Sequence, residues 1–168
     1  MLSFRYANET DCALILQFIR ELAQHEQMLD QVTATEGLLH EWLFEKQRAE
    51  VLFAMEDGRE VASALFFHNF STFQGRAGIY LEDLYVRPES RGCGYGKAVL
   101  RKLAQIALER GCGRLEWVCH NALRSSIDFY LALGAKPMDE WTIYRLQDAT
   151  LSALAADEQT DITAPDML

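Results

Sequence analysis

The chemistry-bearing stretch of the chain is Tyr80-Leu81-Glu82-Asp83-Leu84-Tyr85-Val86-Arg87-Pro88-Glu89-Ser90-Arg91-Gly92-Cys93-Gly94-Tyr95-Gly96-Lys97. Branched and aromatic residues up to Val86 read as a strand, the glycines as a loop, and the residues after Gly96 as a helix. Glycines let a backbone turn tightly and approach a ligand, so successive N–H groups at the helix start can point at phosphate oxygens. A pyrophosphate suits such a loop; a tight turn with no ligand is the other reading of the same spacing. Two familiar phosphate loops do not match. There is no GxxxxGK[ST], and Gly92-x-Gly94-x-Gly96 lacks the GxGxxG spacing and comes too late for a dinucleotide-binding start.

Other reactive residues form no recognisable site. Cys12, Cys93, Cys112 and Cys119 contain no CxxC pair, and neither His25-Glu26 nor His40-Glu41 continues into HExxH. Free thiols in a reducing compartment and no metal are the expectation. The formal charge of −9 opposes tracking of a phosphate backbone, so no nucleic acid is expected as partner, and a cationic partner is favoured. No apolar run approaches the roughly eighteen residues of a membrane span, and the first residues lack the pattern of a secretory signal; a cytoplasmic protein with no membrane contact is expected.

The elements that must position these residues follow from periodicity. With 168 residues and 49% apolar content, one compact core is expected. A strand at residues 3–7 precedes a helix carrying Cys12, Ile15, Leu16, Ile19, Leu22 and Ala23 at helical spacing. A second helix starts near Thr33 or Thr35, with Leu38, Leu39, Trp42 and Leu43 as its buried stripe. Strands follow at 51–55, 61–70 and 79–86, the first two joined by a hairpin at Asp57-Gly58. A helix carrying Val99, Leu100, Leu103, Ile106 and Ala107 stops at Gly111, before a strand at 115–119. A helix at 125–133 ends at Gly134, and a last strand is expected at 142–146. Residues 1–150 form one domain of α+β class, a mixed, mostly antiparallel central sheet flanked by helices. Residues 151–168 are a C-terminal extension, acidic through Asp157, Glu158, Asp161 and Asp166 and expected to be disordered over its last dozen residues.

Arg91-x-x-Gly94-x-Gly96, after a strand ending in Leu84-Tyr85-Val86-Arg87-Pro88, resembles the acetyl-CoA pyrophosphate loop of the GNAT acetyltransferase superfamily. The resemblance spans residues 3–147, and the element order is that of the superfamily. Phe67-His68-Asn69-Phe70-Ser71-Thr72-Phe73, Tyr80-Leu81-Glu82-Asp83-Leu84, Ile127-Asp128-Phe129-Tyr130 and Gly134-Ala135-Lys136-Pro137-Met138 resemble the spermidine/spermine (diamine) N-acetyltransferase subfamily. One segment departs: Leu123, in Ala122-Leu123-Arg124-Ser125, stands where an Asn is expected, and no role is transferred to it.

The resemblance implies acetyl-CoA as cosubstrate, a small diamine, polyamine or lysine/thialysine-like amine as acceptor, direct attack in a ternary complex, and a homodimer. An alkyl ammonium of pKa about 10.4 is only about one part in two to three thousand neutral at pH 7, so a proton must be removed before attack. The resemblance gives Glu82 that substrate-side role, as base or orienting group; a solvated strand carboxylate is the plainer reading. It makes Tyr130 the acid at the departing thiolate, against the plainer reading of a core aromatic. Backbone groups of Leu84, Tyr85 and Val86 are expected at the thioester and pantetheine, and Arg91, Gly92, Cys93, Gly94, Tyr95, Gly96 and Lys97 at the pyrophosphate. His25, Glu26, Asp83 and Glu140 are expected near the amine. Acetylation of a protein amino group and a catalytically silent acyl-CoA-binding regulator are the alternatives.

Overall fold

A computed structural model describes residues 1–156; residues 157–168, where disorder is expected, lie outside the described residues. Two compact units are present, Met1–His120 and a second that begins at Asn121.

The first unit is built on a five-stranded sheet in the order β1-β2-β3-β4-β5. Strands β1 (Ser3–Tyr6), β2 (Glu50–Glu56), β3 (Arg59–Ser71) and β4 (Arg76–Val86) are successively antiparallel, and β5 (Leu115–Trp117) runs parallel to β4. Helix α1 (Cys12–His25) and the short α2 (Glu36–His40) connect β1 to β2, and α3 (Tyr95–Glu109) makes the crossover from β4 to β5. This is the expected mixed, mostly antiparallel α+β arrangement.

Strand alternation divides the core into two layers. Val51, Phe53 and Tyr85 form a buried cluster with Ile15 and Phe18 of α1. Leu52, Ala54, Ala64 and Phe66 point to the other face, where α3 buries Val99, Leu100, Leu103, Ile106 and Ala107 at helical spacing. Arg5 ties the sheet to the start of α1, with guanidinium nitrogens 2.7 Å from both Asp11 and Glu60. That contact holds the Asp11 carboxyl below the usual carboxylate range.

The stripe expected for the second helix is half right. Thr35 caps α2, its hydroxyl accepting the Leu38 N–H at 3.2 Å, and Leu43 is buried with Leu39 packed against the same cluster. Leu38 and Trp42, however, are 46% and 47% exposed. Leu38 and Trp42 stand four residues apart on the outer face and Leu39 and Leu43 four apart on the inner one, so the buried stripe is narrower than expected; the helix continues as a π turn at Glu41–Glu45. Trp42 instead lies beneath the Lys46 ammonium, 3.9 Å from its ring centre.

The second unit carries α4 (Arg124–Ala132) and α5 (Asp148–Ala155). Gly134 ends α4 at φ +86°, and the Ala135 N–H returns to the Tyr130 carbonyl at 3.1 Å, the glycine stop expected from sequence. The strand expected at 142–146 does not form among the described residues; Ile143, Tyr144 and Leu146 are exposed. Period-two apolarity supplies one face of a strand, but a strand also needs a neighbour for its backbone groups. Helix α5 was not anticipated: Thr150 accepts the Gln147 N–H at 3.2 Å and starts it. Among the described residues no helix is long and apolar enough to cross a membrane.

Candidate active site

Strand β4 changes partners half-way along. Ile79, Tyr80 and Leu81 pair with Leu115, Glu116 and Trp117, and there β5 stops, leaving β4 from Glu82 to Val86 without that neighbour. On the other side Leu65 pairs with Asp83 while Phe66 pairs with Leu81, so Glu82 is an extra residue, a β-bulge. The bulge reverses the direction of the backbone groups. Before it, the Ile79 N–H faces β5 and bonds Arg114 O at 3.0 Å; after it, the Arg87 N–H faces β3 and bonds Val61 O at 3.0 Å. By alternation, the N–H and C=O of Leu84 and Val86 face the edge that β5 has left. The Arg91 side chain confirms that direction, its Nε donating to the Val86 carbonyl at 3.0 Å.

The same bulge aims Asp83 at α1. Asp83 and Tyr85 line a small cavity with Ile15, Phe18, Ile19 and Leu22 of α1 and with Val51, Ser63 and Leu65. Burial, then the charges of Glu82 and Glu26, push the Asp83 carboxyl up to about 6. Glu82 is exposed, and Glu26 is exposed at the C-terminal cap of α1. The His25 ring lies 6.4 Å from that of Tyr85. His25 and Glu26 of α1, more than fifty residues away in sequence, are thus brought to Glu82 and Asp83 at the bulge of β4. Cys119 belongs to the same neighbourhood; burial raises its thiol, with a further contribution from Glu26.

Sequence reasoning assigned nothing to Arg87, which fixes this arrangement. Its guanidinium contacts Glu21 at 3.1 Å, bonds Glu60 O at 3.2 Å, and sits 4.4 Å from the centre of the Phe18 ring. One side chain therefore clamps α1 onto the end of β4, and the only sequence signal was an arginine between a strand and Pro88.

Beyond the C-terminal end of β4, Gly92 and Gly94 adopt φ +78° and +80°, and an added Cβ at either would meet open space. Gly94 caps α3 without any side-chain hydrogen bond, and the first intrahelical bond closes from the Ala98 N–H to Gly94 O at 3.0 Å. The amides of Tyr95, Gly96 and Lys97 therefore have no intrahelical acceptor. Cys93 is exposed with its thiol towards Arg91 O, and Lys97 is exposed. A linear ligand with amides at one end and a pyrophosphate at the other fits this track: strand-like N–H and C=O groups first, then a ring of helix N–H groups.

The description of the acetyltransferase (GNAT) family matches residues 16–135. The chain belongs to the GNAT acetyltransferase family. It is an N-acetyltransferase, and the family uses acetyl-CoA as cosubstrate. Thialysine N-epsilon-acetyltransferase of Bos taurus is 37% identical over 163 residues, covering 90% of this chain and 95% of its own. The human spermidine/spermine N(1)-acetyltransferase-like protein 1 is 28% identical over 165 residues, 92% of this chain and 24% of its own. Among solved structures, an integron cassette protein from the V. cholerae mobile metagenome has a TM-score of 0.78 at 24% identity, covering 92% of this chain and 98% of its own, a likeness of fold.

Tyr130 and Glu140 belong to the second unit. Tyr130 is on α4, its ring centre 5.3 Å from that of Phe129, and Glu140 is exposed beyond the helix. Leu123 is the N-cap of α4 and offers no side-chain acceptor to its first amides.

Two outcomes follow from the first unit. Because the folded state holds the Asp83 carboxyl at about 6 rather than 3.8, the unfolded chain gives up this proton first as pH rises. Asp83 therefore contributes a loss of stability that accumulates between about pH 4 and pH 6 and amounts to about 1–3 kcal/mol above it. Asp83→Asn should stabilise the protein by that amount at pH 8 and by much less at pH 4 in urea titrations; equal effects at both pH values would refute the buried-carboxylate reading. Gly96→Val, in the first turn of α3 rather than at a positive φ, should weaken CoA binding at least tenfold while the urea midpoint moves little. Gly94→Val does not separate the two effects, because a branched residue at φ +80° strains the loop itself.

Proposed function

We propose that this N-acetyltransferase transfers the acetyl group of acetyl-CoA to a primary amine of a small diamine, polyamine or lysine/thialysine-like substrate by direct attack. The observation that carries the substrate class is the gathering of Glu26, Glu82 and Asp83 around the bulge in β4, where burial and then the charges of Glu82 and Glu26 push the Asp83 carboxyl up to about 6. Such a cluster is adverse to itself and is relieved by a cation. The names of the relatives, which include acetyltransferases of thialysine and of L-ornithine, support an acceptor that carries an amine and a second charged group.

In this reading the thioester and pantetheine lie along the open edge of β4. The Leu84 and Val86 amides supply donors to the carbonyl oxygen that becomes negative in the tetrahedral intermediate and to the pantetheine chain. The amides from Gly92 to Lys97 hold the pyrophosphate. Glu82, exposed at the bulge, takes the proton from the incoming ammonium directly or through water, while Asp83 and Glu26 hold its charge before transfer and any second ammonium afterwards. The amine nitrogen then forms its bond to the acetyl carbon, the C–S bond breaks, and the thiolate takes a proton, for which Tyr130 is the donor the family resemblance assigns. Cys93 has no covalent role, since direct transfer forms no acyl-enzyme. A cytoplasmic homodimer completes the reading; the exposed apolar segment Trp141, Ile143, Tyr144 and Leu146 supports a second copy as its cover.

The substrate test compares a diamine with a monoamine of matched length. The diamine should have the higher kcat/KM by about three- to tenfold at low salt, with the advantage shrinking as salt rises. Glu26→Gln should erase most of that preference, and Glu82→Gln should slow both amines alike. Equal use of both amines at every salt concentration would overturn the diamine pocket, and CoA binding without turnover on any amine would favour a silent regulator. For the leaving group, Tyr130→Phe should lower kcat by about ten- to a thousandfold with CoA affinity nearly intact; unchanged turnover in a chemistry-limited assay would remove Tyr130 as the acid.

A further inference from the structure

The loop that enters α3 is tied to β4 at its start by Arg91, whose Nε bonds Val86 O, and has few side-chain ties of its own from Gly92 to Gly94. Gly92 and Gly94 carry no side chains, Cys93 and Arg91 are exposed, and the N-cap makes no side-chain bond. The first residue of the helix is different. Tyr95 reaches out of the loop, and its hydroxyl donates to the carboxylate of Glu56, the last residue of β2. Glu56 is itself set in a tight hairpin: it pairs with Arg59 across Asp57 and Gly58, whose φ values of +49° and +80° are those of a two-residue turn matched to strand twist. The acceptor is therefore placed by rigid β structure thirty-nine residues away in sequence.

We infer that the Tyr95 hydroxyl and the Glu56 carboxylate form a tether that sets the position of the α3 N-terminus, and hence of the amides that receive the cofactor's pyrophosphate. Tyr95 is thus a positioning residue, acting through the backbone of its own helix turn. This rests on the assignment of the pyrophosphate to that turn. The chemistry explains why a tyrosine serves here. A phenol reaches farther than a serine or threonine hydroxyl, is neutral at physiological pH, and can bond a carboxylate without bringing a second cation or anion to the phosphate. The carboxylate pushes the hydroxyl up to about 12, so the donor stays protonated through the neutral range.

The experiment uses two acetyl donors, acetyl-CoA and S-acetylpantetheine, which has the thioester arm but no pyrophosphate. Tyr95→Phe should lower kcat/KM for acetyl-CoA about tenfold, chiefly through KM, while kcat/KM for S-acetylpantetheine falls less than twofold. Glu56→Ala should reproduce that profile, the double variant should be no worse than either single one, and Glu56→Gln, which retains an acceptor oxygen, should recover most of the loss. Equal losses on both donors would mean general damage to the fold and would overturn the tether, as would no loss on acetyl-CoA or additive losses in the double variant. Gly96→Val reads the underlying assignment separately. If it weakens acetyl-CoA and Tyr95→Phe does not, the tether alone is wrong; if neither matters, the pyrophosphate does not sit at this turn.

Discussion

One extra residue in one strand sets the geometry on which the rest depends. An unbulged β4 would keep a single phase from Arg76 to Val86, with the N–H groups of its odd-numbered residues all facing β5. Because Glu82 is inserted between the positions opposite Phe66 and Leu65, the phase reverses. The Leu84 and Val86 backbone groups then face the edge left open where β5 ends at Trp117. Backbone amides at an unpaired edge need water or a ligand, so the same feature that interrupts the sheet prepares a strand-shaped place for one. A glycine makes room where β5 begins. A Cβ on Gly78 would lie 2.5 Å from Asn69 Oδ1 and 2.7 Å from Arg114 Cγ, so glycine there leaves room for the Asn69 and Arg114 side chains over β4 beside the start of β5.

Much of this was legible in the sequence, for physical reasons that differ from element to element. The strands, α1 and α3 announce themselves by period, and Gly134 marks the end of α4 because only glycine occupies φ +86° without strain. The glycine loop and its strand were legible because their residue types have few other uses. What stayed hidden lies in relations between distant residues or in changes of phase. The bulge at Glu82 leaves no mark in an apolar pattern that already reads Leu81-Glu82-Asp83-Leu84. Leu38 and Trp42 share the outer face of their helix because only Leu39 and Leu43 meet the core, and apolar character alone does not tell the two pairs apart. The clamp from Arg87 to Glu21 joins residues 66 apart, and no local rule pairs them. For 142–146, branched and aromatic residues favour a strand, but propensity cannot supply the partner that a strand needs, and none forms there among the described residues.

The two ligands of the proposed reaction have opposite charges, and the chain treats them differently. In that proposal the cation is met by side chains, three carboxylates around the bulge, one of them half-buried. The anion is met mainly by backbone, at the N-terminus of a helix, with Arg91 and Lys97 the only cationic side chains of the loop. Side-chain charges act through water over about a Debye length, whereas amides act at hydrogen-bond distance and are screened little. A protein of net charge −9 repels an anionic cosubstrate at long range, so its affinity for CoA must come from short-range contacts whose geometry is fixed in advance. This is why the strain-free glycines and a rigidly placed helix start matter more here than added lysines would. Rising salt relieves the long-range repulsion of the cosubstrate while it weakens the attraction for the amine. On the proposed reading the two halves of the site therefore answer to ionic strength with opposite signs, and the acetyl group passes between them where β4 reverses its phase.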